Sequence, residues 1–108
     1  MESINNQAWI KWQDYIMTEN STIFIGSKPV MNYVLALMTQ FNKQVPDVTL
    51  KARGRAISRA VDTAEIARNK FMPNLKIKDI TIGTESVVDE QGKSINISSM
   101  EITLTNQL

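Results

Sequence analysis

The sequence predicts an α+β fold, a β-α-β-α-β-β two-layer sandwich. A four-stranded mixed sheet would carry two helices on one face and end in a projecting C-terminal β-hairpin. Three observations predict it. Two stretches, Val30 to Phe41 and Ile57 to Phe71, place apolar residues at the 3.6-residue spacing of a helix with one buried face. A short β-prone run precedes each of them, Ser21 to Ile25 and Asp47 to Arg53. From Leu75 onward, isoleucine and valine alternate with polar residues on both sides of a glycine-containing turn. With only two helices of useful length, the simplest packing puts both on the same side of one sheet. The 108 residues suffice for one domain with a real core, since folding a chain of this size buries roughly two thirds of its extended surface.

Residues 1–20 form an extension ahead of a domain spanning 21–108. In the extension Trp9, Trp12 and Ile16 fall at i, i+3 and i+7, which suits a short amphipathic helix. Three readings stay open for it: docking on the protein's own body or a second copy, contact with a partner or membrane surface, and a disordered tail. The segment's net negative charge disfavours the membrane. After the first strand, Ser27 is a candidate helix cap and Pro29 suits a first helical turn, where its missing amide hydrogen costs nothing. The Lys28 side chain and the amides beside it could receive a phosphate together, or Lys28 could be a solvated lysine. The first helix must end before Pro46. In the second, Ala60, Ala64 and Ala67 permit close packing, and Pro73 stops the helix after Phe71 and Met72. Those two apolar residues either cap the core or belong to a self-association surface.

In the closing hairpin the alternation slips. Leu75 and Ile77 are in one phase and Ile80 and Ile82 in the other; on the return, Ile95 and Ile97 give way to Met100, Ile102 and Leu104. Each strand should therefore contain a bulge or change its surroundings partway. The base of the hairpin would belong to the sheet and its tip would project.

Charge narrows the function. The net value is only +1, but residues 21–84 hold ten basic against four acidic residues, a surplus of six, while both ends of the chain are net acidic. Such asymmetry points to an anionic partner. Its focus is LKARGRAISR, Leu50 to Arg59, where Lys51, Arg53, Arg55 and Arg59 gather as a strand hands over to a helix with no acidic residue among them. Guanidinium forks match phosphate geometry and keep their charge. The chain has no cysteine and no histidine, which removes disulfides, thiolate metal sites and the commonest general base. No calcium-loop or phosphate-loop spacing occurs. Asp62 and Glu65 sit one turn apart among arginines, the pattern of a salt-linked helix surface. No enzyme activity, catalytic residue, metal or cofactor is expected. No apolar run approaches the roughly 20 residues of a membrane span, so the expectation is an intracellular protein with no membrane contact.

The stretches IGSKPVMNYVLA (Ile25 to Ala36), KARGRAISRAVDTAEIARNKF (Lys51 to Phe71) and TIGTE (Thr81 to Glu85) closely resemble the Alba family of archaeal DNA- and RNA-binding chromatin proteins. The resemblance runs from about Thr22 to Thr105. It implies a homodimer whose two hairpin arms extend along duplex DNA. Lys28, Lys51, Arg53 and Arg55 would then contact backbone phosphates, and Lys93 would contribute near an arm tip. Phe71 matches the aromatic position through which family dimers pack side by side, a route to higher-order assembly and DNA condensation. The implied location is cytoplasmic, on the chromosome in the nucleoid. RNA binding, in a stabilising or ribonucleoprotein role, is the alternative, and a scaffold that has lost nucleic-acid affinity is a third reading. Two departures stand out. Ser27 occupies the place of the loop's first lysine, so the acetylation switch of that residue is absent, and Asp89 and Glu90 make the hairpin tip acidic.

Overall fold

The computed structural model describes residues 17–19, as backbone, and 21–106. Strands β1 (Met17–Glu19) and β2 (Thr22–Phe24) are followed by helix α1 (Val30–Asn42), strand β3 (Asp47–Arg53), helix α2 (Ala56–Ile66) with a π-helical turn (Ala67–Phe71), and the long strands β4 (Lys76–Val88) and β5 (Ser94–Thr105). The sheet runs β1-β2-β3-β5-β4. Its pair β2/β3 is parallel and the other pairs are antiparallel, so the sheet is mixed. The four strands expected from the sequence are all present, and β1 adds a fifth at the outer edge. The expected amphipathic helix of the extension lies outside the described residues, apart from these three, which are strand.

Period-two alternation explains the layering. In β3, Val48, Leu50 and Ala52 are buried while Asp47, Thr49, Lys51 and Arg53 are half-buried on the opposite face. The β3/β5 register runs unbroken from Asp47↔Thr105 to Arg53↔Ser99, so Ile102 and Leu104 share the buried face. Against that face pack Tyr33, Val34, Leu37 and Phe41 of α1 and Ala60, Ala64 and Ala67 along α2 and its π turn. Fully buried leucines such as Leu37 and Leu50 contribute about 1.5–3 kcal/mol each by leaving water. The alanines present little bulk, which is why α2 can lie close to the sheet. At its end the Met72 amide reaches back to the Ala67 carbonyl (2.7 Å), closing the π turn before Pro73. Of the two apolar residues there, Met72 packs on the core and Phe71 points outward, 44% exposed.

Both phase slips in the hairpin have physical causes, and they differ. In β4 the register shifts between Ile77 and Asp79, a bulge that absorbs Lys78 and brings Ile80 and Ile82 back to the helix side. In β5 the surroundings change instead. Met100, Ile102 and Leu104 lie on the helix side, whereas Ile95 and Ile97 belong to the opposite face of a part of the hairpin that has left the sheet. Beyond Arg53↔Ser99 no third strand among the described residues accompanies β4 and β5. The five rungs from Thr84↔Ser98 to Val88↔Ser94 form a free arm, about 17 Å long at the usual rise per residue. The arm makes the molecule elongated, 45 × 23 × 22 Å.

Candidate nucleic-acid interface

Parallel pairing of β2 and β3 puts the carboxyl ends of both strands side by side. The Ile25 amide donates to the Lys51 carbonyl (2.8 Å), which sets the loop Gly26 to Pro29 next to the turn at Gly54 and Arg55. A sharp turn is needed where β3 becomes α2, and Gly54 makes it at φ +61°, a conformation that would strain any other residue. Its amide donates to the Ser98 carbonyl at the root of the arm (2.8 Å). Loop, turn and arm root thus meet at one end of the sheet.

The loop is held from beneath by Tyr33. This fully buried side chain uses its hydroxyl oxygen to accept from the Gly26 amide (2.9 Å) and the Lys28 amide (3.1 Å). Two acceptances fill the lone pairs of a phenol oxygen. The Lys28 amide is therefore committed to Tyr33 and is not one of the amides that could join the Lys28 side chain on a phosphate. The expected Ser27 cap is corrected, since α1 begins at Val30 with Pro29 in the cap position. From the other side, the Arg59 guanidinium donates to the Gly26 carbonyl (2.7 Å), stitching α2 to the loop.

The basic cluster read from the sequence is divided by the same alternation that builds β3. Lys51 and Arg53 lie on the sheet face away from the helices, each beside a carboxylate. Lys51 Nζ is 3.6 Å from Glu101 Oε2, with both side chains partly exposed. Arg53 Nη1 donates to Glu85 Oε1 at 2.8 Å, and the Arg53 side chain is only 10% exposed. Burial draws the Arg53 guanidinium below its ordinary pKa, opposed by the charge and hydrogen bond of Glu85. Arg55, past the turn, is exposed. Lys93 is exposed at the arm tip. Phe71 lies at the far end of α2 on the molecular surface.

At the tip, Asp89 serves the turn. Its Oδ1 accepts from the amides of Gln91 (2.9 Å) and Lys93 (2.8 Å), and Gly92 at φ +81° lets the chain reverse. One oxygen of its carboxylate is therefore engaged by backbone donors of the turn. Sequence reading missed the roles of Tyr33, Glu85 and Asp89. The aspartate had a usable signal in its position three residues before a turn glycine; the other two are tertiary. Among the described residues no group of His, Cys, Asp and Glu could hold a metal ion, and no helix is long and apolar enough to cross a membrane.

Comparison with known proteins adds a family to this geometry. The Alba family model matches residues 21–84. The DNA/RNA-binding protein Alba of Methanocella arvoryzae is 58% identical over 88 residues, 82% of this chain and 92% of that protein. DNA/RNA-binding protein Alba 1 of Archaeoglobus fulgidus is 57% identical over 91 residues, 84% of this chain and 100% of that protein. Among solved structures, Alba from Thermoplasma volcanium superposes with a TM-score of 0.74 at 54% identity, covering 78% of this chain and 98% of its own. An Alba protein of Trypanosoma brucei, at 19% identity, shares the fold with a TM-score of 0.67 over 82% of this chain and 71% of its own.

Proposed function

The chain belongs to the Alba family, and from that premise we propose that it is an architectural protein binding double-stranded DNA as a homodimer without sequence preference. The observation that carries this reading is the meeting of the Lys28 loop, the exposed Arg55 turn and the root of a free arm at one end of the sheet. Lys28 and Arg55 contact phosphates directly; Lys51 joins by exchanging Glu101 for a phosphate, and Lys93 adds a contact at the arm tip. Arg59 acts at this surface through the loop that it holds. Such contacts fix position on the duplex and carry no base code.

The second protomer covers apolar surface that neither helix reaches. Ile80 and Ile82 flank Ile102 and Met100 on the helix-side face, yet they are 50% and 73% exposed. Pairing two protomers doubles the phosphate sites within one particle, and affinity rises by multivalency. Phe71 makes the contact between neighbouring dimers, which condenses DNA along the chromosome in the cytoplasm. Phe71→Ala is expected to remove cooperativity from binding isotherms on long duplexes while the affinity of one dimer for a short duplex stays the same.

The test is equilibrium binding to scrambled duplex DNA and to a structured RNA of matched length, from about 50 to 300 mM salt, where affinity should fall linearly on logarithmic axes. Tight, salt-steep, sequence-indifferent duplex binding is the expected result. The second reading, RNA binding, is favoured by relatives that carry both nucleic acids in their names, and preference for the RNA at equal salt would establish it. Failure to bind either would leave the scaffold reading.

A further inference from the structure

We infer that Arg53 and Glu85 fasten the arm to the body, so that Arg53 is a positioning residue for nucleic-acid binding rather than a phosphate contact. The inference rests on the proposed binding function and says how one part of that surface is set. Arg53 is the last residue of β3, opposite Ser99, on the final rung that has a third strand. Glu85 lies on the second rung beyond it, within the free arm and on the same face. The 2.8 Å ion pair therefore crosses from the supported sheet to the unsupported hairpin.

Exposure decides between the two roles. A guanidinium awaiting phosphate should be open to water, as Arg55 is, whereas Arg53 is 10% exposed and its carboxylate partner 31%. Reaching Arg53 would require a phosphate to displace a half-buried carboxylate against like-charge repulsion. A second contact converges on the same point: the Gly54 amide donates to the Ser98 carbonyl (2.8 Å). Ile97 of the arm lies beside Gly54, close enough that a Cβ added there would stand 3.4 Å from its Cγ2. Backbone hydrogen bond, close approach and ion pair together make a fixed root from which the arm takes its direction. An arm of correct charge but free direction loses entropy when it lies along a duplex; a fixed arm has lost it in folding.

The test uses the sign of a charge effect. If Arg53 contacted phosphate, Glu85→Ala would free it and remove a negative charge, and binding would tighten. As a fastening pair, Glu85→Ala and Arg53→Ala should each weaken duplex binding, on the order of threefold or more, and the double variant should be no weaker than the worse single one. The salt slope should stay at its original value in both, because no phosphate contact is lost. The chain has no cysteine, so a nitroxide on Gln91→Cys at the exposed tip reports arm mobility, with Asn42→Cys on the body as control. The tip spectrum should sharpen in both variants and the body spectrum should not. Glu85→Gln, which keeps shape and one acceptor, should fall between, and it remains informative if an alanine variant fails to fold. Tighter binding by Glu85→Ala, or a slope lowered by about one in Arg53→Ala, would overturn the inference. A wild-type chain that binds no nucleic acid would defeat the proposed function alone, since the tip spectra would still report whether the pair fastens the arm.

Discussion

Arg53 and Arg55 stand two residues apart and differ in everything the sequence does not display. One is half-buried against a carboxylate that is 32 residues away in the chain, and the other is exposed. Arg55→Ala is accordingly expected to lower the salt slope of duplex binding by about one unit with no change in melting temperature, read from titrations across salt. Asp47 illustrates the same dependence on a distant partner. The Lys78 ammonium donates to it at 2.6 Å and, with a smaller contribution from Thr105, holds its carboxyl below the usual value. A lowered folded-state pKa favours the folded state above the ordinary carboxylate pKa, and that contribution is lost as pH falls through the lowered one. Lys78→Met should move the Asp47 titration back up toward its ordinary value, as followed by carboxyl carbon shifts in NMR. At this scale residue types and spacing were legible, and a phosphate-compatible cluster could be read from Lys51 to Arg59. Partners were not, because Glu85, Glu101 and Gly26 arrive through pairing of distant strands.

Elements carry their own lesson in the loop after β2. Its shape depends on one hydroxyl inside α1, a helix that presents Tyr33 to periodicity as one more apolar residue. Tyr33→Phe leaves the ring and strands two amides, one of them buried, so it should destabilise the fold by about 1–3 kcal/mol in chemical denaturation. Amide exchange at Gly26 and Lys28 should accelerate more than elsewhere. Helix extents and the β4 bulge were legible because hydrophobic phase records them directly: Ile77 and Ile80 cannot share a face without an inserted residue. The cap at Pro29 was not legible, since Ser27 ahead of it is an ordinary cap signal and nothing local announces that Tyr33 organises the loop instead.

For the whole molecule, the two-layer order was legible from two helical periods and four strand-like runs, while β1 was hidden in a segment whose tryptophan spacing suggests a helix. The exposed apolar face proposed to meet a second protomer was hidden as well, because Ile80 and Ile82 alternate just as core-facing residues do. Ile82→Glu should convert the proposed dimer to monomers in light scattering after gel filtration, and should weaken duplex binding through loss of the paired site. The position of β4 at the edge of the sheet has a colloidal consequence. Lys76, Lys78, Asp79 and the bulge guard one end of that edge and Glu85 the other, but from Ile80 to Thr84 it has no charge, proline or irregularity. Such a stretch is a template for strand addition by another chain. Two ways of making monomers should therefore end differently: dilution or mild denaturant bares Ile80 and Ile82 beside an uncharged template and invites fibrils, whereas a glutamate at position 82 separates the protomers and charges the template at once, leaving a monomer that stays in solution.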